Sequence, residues 1–209
     1  MGIKERRAKE KELLETKILE AARSVLDEHG YEGLTMRKIA DKIEYSATTI
    51  YLYYKDKSEL LYALSEETYG KIYDFRKFGN YKKDPLNWLR KAMRAYIAFG
   101  LRNPSHYKAA YISHPEHHQE MTKYSEWHPN GQRGWRAFTD VISACVEQGK
   151  FRRVDVEITY EVVASAMHGL VSLLIVHPDF PWSDKDLLID HLIETTILGL
   201  SAPEQHQSA

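Results

Sequence analysis

A single cysteine, Cys145, among 209 residues excludes an intrachain disulfide. Its setting, Val141-Ile142-Ser143-Ala144-Cys145-Val146, is that of a buried apolar thiol rather than a redox sensor. Net charge is nearly absent too, at a formal −1. Residues 1–57 carry 12 Lys/Arg against 11 Asp/Glu and residues 58–209 carry 17 against 19, so charge balance gives no sign of a nucleic-acid partner. No apolar run approaches the ~20 residues of a membrane-spanning helix, and no apolar segment follows the charged N-terminus. Neither an anchor nor a leader is expected, and the cytoplasm is the expected location. A phosphate-cradling glycine loop, a nucleophile elbow and a patterned pair of acids are all missing, so no enzyme, no catalytic residue and no cofactor is expected.

What is present is a pair of short amphipathic helices over residues 35–57. Thr35 stands where an N-cap belongs, and Ile39, Ala40 and Ile43 fall three or four apart, giving one narrow apolar stripe. The small Ala40 lets a following helix cross closely. Ser46 is placed to cap that second helix, in which Ile50 points inward while Ala47, Thr48, Thr49, Tyr51 and Tyr53 are candidates to face outward. The pattern is a helix-turn-helix, whose second helix has the width of a DNA major groove. Short side chains permit close approach to base edges, and threonine offers a hydroxyl to a base or a methyl to thymine. Tyr51, Tyr53, Lys55 and Lys57 suit phosphate oxygens, which fix register without reading sequence. Ahead of the pair, residues 15–33 form a longer amphipathic helix with Ile18, Leu19, Ala22, Val25 and Leu26 on one face, stopped by Gly30.

Together, Ile18-Leu19, Ala21-Ala22, Gly30-Tyr31, Thr35, Ile39-Ala40, Ser46, Thr49, Tyr51, Tyr53-Tyr54, Lys57 and Leu60-Leu61 closely resemble the DNA-binding domain of the TetR family of bacterial transcriptional regulators, over roughly the first third of the chain. The resemblance implies an all-α homodimer of about nine helices. A three-helix reading head (residues 1–57) would precede a helical domain (residues 58–209) that binds an inducer and dimerises. Thr35, Ser46, Ala47, Thr48, Thr49, Tyr51, Tyr53 and Lys57 would line the surface facing a double-stranded DNA operator. Two positions depart from the family pattern. The turn reads Glu44-Tyr45-Ser46 where glycine is usual, so a residue of left-handed preference is missing. Thr48 stands where the recognition helix often has glycine, so operator preference does not transfer from relatives.

Lys4, Arg6, Arg7, Lys9 and Lys11 form a basic stretch at the N-terminus, read either as a mobile arm that reaches a minor groove or phosphates, or as a solvated tail or helix extension. Further helices are expected from Lys57 to about Phe78, from Asp84-Pro85 to Asn103, briefly over residues 107–112, from Gln132 to Gln148, and over about 156–177 and 183–200. The apolar stripes of the last two are broader than one core needs, which predicts a four-helix dimer interface with two helices from each subunit. His168-Gly169 resembles the His-Gly part of the WHG subgroup of TetR-like C-terminal domains, without its tryptophan. Glycine inside a helix costs ~1 kcal/mol against alanine, so close packing against Gly169 is expected.

The resemblance also implies a small-molecule inducer, of unnamed identity, among the C-terminal helices. Candidate lining is Trp88, Met93, Tyr96, Phe99, Tyr107, Tyr111, Trp127, Trp135, Phe138, Met167 and His168, all of which would serve equally as core. His114, His117, His118 and His128 with Glu116, Glu120 and Glu126 gather possible metal ligands, but their spacing fits no zinc motif and no metal is expected. The expected function is a ligand-responsive repressor released from a palindromic operator. The contrasting reading is an all-helical small-molecule or metal-binding protein that never engages DNA, which would require Ser46 to Tyr53 to lie off the surface.

Overall fold

A computed structural model describes residues 2–108, 111 and 129–202, apart from the side chains of residues 76 and 77. Among these are nine α-helices, one 3-10 turn and no strand: α1 Ile3–Gly33, α2 Met36–Lys42, α3 Ala47–Tyr51, α4 Lys57–Ile72, the 3-10 turn Phe75–Phe78, α5 Pro85–Arg102, α6 Pro104–Tyr107, α7 Pro129–Glu147, α8 Val156–Val176 and α9 Lys185–Leu200. The fold is all-α. The segment holding His114 to His128 and Trp127 lies outside the described residues.

Contacts divide the chain into two compact units, one of Met1–Thr68 with the described part of Asn103–Trp127, the other of Tyr69–Arg102 and the described residues after 128. This division falls within α4 rather than at residue 57.

In the first unit, α1 contributes Ile18, Ala21, Ala22, Val25 and Leu26 to a core completed by Leu34, Met36, Ile39, Ala40, Ile50, Tyr54, Leu60, Leu61 and Leu64. Each fully buried aliphatic side chain stabilises the fold by about 1.5–3 kcal/mol, so the short helices α2 and α3 are held by packing rather than by propensity. Gly30, at φ 67°, breaks the helical path of α1. The basic N-terminal stretch is not an arm: it is helical from Ile3 and continuous with the buried part of α1.

In the second unit, Asp84, Asp155 and Asp184 cap α5, α8 and α9, accepting from the amides of Asn87, Ile158 and Leu187 at 3.2, 2.9 and 3.0 Å. Helix α4 ends at Ile72, six residues before the predicted end. Phe75 and Phe78, which continue its apolar spacing, belong to the 3-10 turn and pack edge-on against Trp88 with centroids at 4.9 and 6.0 Å. Gly134 admits the Tyr73 ring so closely that a Cβ there would lie 2.5 Å from ring carbon Cγ. Arg90 grips Glu194 through Nε and Nη2, at 2.6 and 2.9 Å, and Arg94 pairs with Asp190, joining α5 to α9. The Cys145 thiol is buried, and burial pushes its pKa up to about 12, so it is a core group.

Helix α8 corrects one sequence expectation. Its 21 residues are long and apolar enough, by length and composition alone, to cross a membrane. The apolar residues divide between two faces: Val163, Met167, Leu170, Val171 and Leu174 are buried, while Ile158, Val162, Leu173 and Val176 are exposed. A Cβ at Gly169 would meet no described atom within 4 Å, so the close packing expected there is not made within the single chain.

Candidate nucleic-acid interface

The candidate surface is built on two caps and a turn. The Thr35 hydroxyl accepts from the Lys38 amide at 3.2 Å and starts α2. The Ser46 hydroxyl accepts from the Thr49 amide at 3.1 Å and starts α3, each cap occupying one of the amides a helix N-terminus leaves free. Between them, the Tyr45 amide donates to the Ala40 carbonyl at 3.0 Å and the Glu44 amide to Asp41 at 3.4 Å. That is a Schellman closure, which requires a left-handed residue between its two bonds. Glu44 supplies it, with φ 61°. The turn that lacks glycine therefore forms, with glutamate in the strained position.

The side chains of α3 divide in a way that five residues of sequence did not show. Ser46, Thr48 and Tyr51 are exposed, as expected. Ala47 and Tyr53 lean against the core of the first unit and are only half open. Thr49 is half-buried and turns Oγ1 to Ser46 Oγ at 2.9 Å rather than outward. Lys57 departs furthest from the phosphate-contact expectation. Its ammonium donates to the Tyr31 carbonyl at 2.8 Å and sits 3.9 Å from the Tyr31 ring centroid. Burial lowers its pKa, and Glu32 opposes the shift. Lys57 thus ties the start of α4 to the end of α1. Two residues missing from the predicted set belong to this surface, Leu52 at 78% exposure and Tyr45 at 44%. The signal for Leu52 was in the sequence, an apolar residue with no core position to fill at the end of a polar face.

Since Ser46, Thr48, Tyr51 and Leu52 lie at the surface, the condition set by the contrasting reading, a hidden α3, is not met.

The predicted ligand residues do not form one set. In the second unit, Trp88, Met93, Tyr96, Phe138 and Met167 are buried and Phe99 is half-buried. Trp135, predicted inward, is 37% exposed. His168 is half-buried, with Nε2 3.3 Å from Ser172 Oγ, and burial lowers its pKa. Tyr107 and Tyr111 belong instead to the first unit, where their rings lie 4.7 Å apart. An open cleft of about 610 Å³ in the second unit is lined by Arg152, Arg153, Ile158, Val162, Thr195 and Leu200 among others, and by none of the predicted ligand residues.

Residues 18–64 match the model of bacterial regulatory proteins of the tetR family, and residues 89–196 match the tetracyclin repressor-like C-terminal domain, which alone spans more than half of the chain. The chain is 24% identical over 165 residues to the HTH-type transcriptional repressor AcnR of Corynebacterium glutamicum, covering 75% of this chain and 79% of that protein. It is 38% identical over 58 residues to the class D tetracycline repressor protein of Escherichia coli, covering 28% of this chain and 27% of that one. Among solved structures, the transcriptional regulator FadR of Bacillus subtilis in complex with stearoyl-CoA shares the fold at a TM-score of 0.71 and 18% identity, covering 88% of this chain and 98% of that one. With a capped helix-turn-helix at its N-terminus and matches over both parts of its length, this chain belongs to the TetR family of transcriptional regulators.

Proposed function

We propose that the protein is a ligand-responsive repressor that binds a palindromic operator as a homodimer through α3 and is released by a small molecule. The observation that carries the reading is the outward face of α3, where Ser46, Thr48, Tyr51 and Leu52 stand exposed on a helix fixed at its start by the Ser46 cap. Thr48 and Leu52 are the groups to meet base edges and thymine methyls, and Tyr51 with the half-open Tyr53 the groups to meet phosphate. Thr35 spends one hydroxyl lone pair on capping and retains its O–H for a phosphate oxygen, whereas the Ser46 hydroxyl is also shared with Thr49 Oγ1. Two such helices in a dimer would enter successive major grooves roughly 34–36 Å apart. The exposed apolar stripes of α8 and α9 support the dimer, because one subunit leaves them uncovered.

Release is a population shift. A ligand among the C-terminal helices that prefers one dimer spacing by ~1–3 kcal/mol changes operator affinity, with α4, which runs unbroken from Lys57 to Ile72, as the moving link. The buried aromatic and Met side chains of the second unit make an apolar or amphiphilic inducer the fitting class. The stearoyl-CoA bound by the FadR neighbour makes a long-chain acyl thioester the first ligand to try. Work in the cytoplasm, where the DNA is, belongs to the same reading.

The test is binding of the purified protein to the DNA flanking its own gene, at two salt concentrations, with unrelated DNA in excess. Sequence-selective, salt-sensitive binding supports the reading. A folded dimer that binds neither flanking nor genome-wide selected DNA overturns it. Thr48→Ala, which removes an exposed hydroxyl with no cap to hold, is expected to leave stability within about 0.5 kcal/mol and to change the order of preference among operator variants.

A further inference from the structure

The N-terminal half of α1 serves the core only through the half-buried Leu14. Residues 3–17 precede the first buried residue, Ile18, yet they are helical throughout. At 1.5 Å per residue they extend about 22 Å. Within that stretch Arg7, Lys11 and Leu14 fall on the same side of the helix as Ile18, and Lys17 flanks that side. With Tyr45 and Tyr53, these four line a groove of about 640 Å³ beside the turn and the end of α3. Arg7, Lys11 and Lys17 have no ion-pair partner among the described residues. The one acid in the groove, Glu10, is drawn off by Arg6, whose Nε lies 3.6 Å from Oε1. The groove therefore carries those three free cations beside Leu13 and Leu14, and its two tyrosines, Tyr45 and Tyr53, flank α3 in the chain.

We propose that this groove is a second DNA-contact surface, in which α1 lies as a stiff bar along phosphates flanking the half-site read by α3. Arg7, Lys11 and Lys17 neutralise phosphates there, and the exposed Tyr45 phenol donates to a phosphate oxygen. A helix with side chains is about 10–12 Å across and the minor groove is about 6 Å wide, so a helical extension does not thread the minor groove as an extended arm does. Its contacts add affinity and register, and they carry no base sequence. The inference rests on the DNA-binding reading above and adds a surface to it.

The experiment compares operator binding over a salt series for the wild type, the double variant Arg7→Ala/Lys11→Ala, and Lys9→Ala, whose side chain leaves α1 on the face away from the groove. Alanine is the strongest helix former, so none of these changes removes the extension. Each phosphate contact contributes ~0.9 to the slope of log affinity against log salt. The double variant is expected to lose about 2 from that slope, to weaken for operator and unrelated DNA alike, and to lose the outermost phosphates from the hydroxyl-radical footprint of each half-site. Lys9→Ala is expected to keep the wild-type slope and footprint. Selective binding by a double variant with unchanged slope and footprint overturns the groove and leaves the regulator reading standing. So does a Lys9→Ala variant that reproduces the whole effect, because diffuse charge would then explain it. A wild type without selective binding overturns the regulator reading itself and this inference with it.

Discussion

Glu44 carries the helix-turn-helix at a cost to itself. It is the one non-glycine among the described residues with positive φ, a conformation that costs an L-residue about 1–2 kcal/mol. Glu44→Gly removes that strain, and the greater freedom of glycine in the unfolded chain returns about 0.4–1 kcal/mol of it. The expected net is a gain of up to about 1.6 kcal/mol, read as a higher urea midpoint at unchanged slope. A lower midpoint would show that the turn is unstrained. Lys57 poses the opposite question, because its ammonium is already engaged. It has three donors, one spent on the Tyr31 carbonyl, and it lies over the Tyr31 ring. Lys57→Ala is expected to cost about 1 kcal/mol or more in denaturation. It is also expected to weaken binding to every DNA sequence alike, because the start of α4 loses its tie to α1. A salt slope lower by about 1 would add a phosphate contact to that structural role, and an unchanged affinity would remove Lys57 from the interface.

Elements are where sequence and structure can be compared, and His168 in α8 supplies the prediction at this scale. Burial holds its pKa below the ordinary value of about 6.5, so the unfolded chain takes up the proton first. Its contribution to stability is complete above pH 6.5 and is lost as the pH falls through the depressed folded pKa. His168→Gln is expected to flatten the decline in thermal midpoint between about pH 7 and 5, and an unchanged decline would assign it to other groups. The reasons for what could be read in such elements are physical. Caps at Thr35, Ser46 and Asp84 are legible because short polar side chains at helix starts have few other uses. The long helices are legible because apolar residues repeat over several turns. The orientation of α3 was not, since five residues make less than two turns and leave the phase of the face undetermined. Thus the spacing alone puts Ala47, Thr49 and Tyr53 outward and does not single out Leu52. The end of α4 is not legible because Phe75 and Phe78 keep helical spacing while the backbone tightens into a 3-10 turn beside Trp88. Gly169 lies on a face left open within the single chain, so the close approach that a helical glycine signals falls to whatever covers that face.

That open face bears on the whole molecule. Along α8, Ile158, Val162, Gly169, Leu173 and Val176 share one side, and α9 presents Leu187 and Leu198. Within one subunit these side chains are left about half open or more: Val162 is 58% exposed and Leu198 75%. A charge placed at either costs the isolated subunit little, whereas a two-fold interface would bury it twice, once from each copy. Val162→Glu and Leu198→Lys are therefore expected to shift the sedimentation mass from dimer toward monomer at micromolar concentration while helical content and folding cooperativity hold. Operator affinity should fall by about 100-fold or more, because each half-site contact then forms without the effective concentration that a linked partner supplies. Binding to unrelated DNA, which depends on single-subunit phosphate contacts, should fall far less. The ratio of the two losses separates a broken dimer from a damaged reading head: Thr48→Ala redistributes preference among operators, while Val162→Glu should weaken all palindromic operators together and leave their order intact. A Val162→Glu protein that remains dimeric would place the subunit contact elsewhere and leave the exposed stripes of α8 and α9 to another partner.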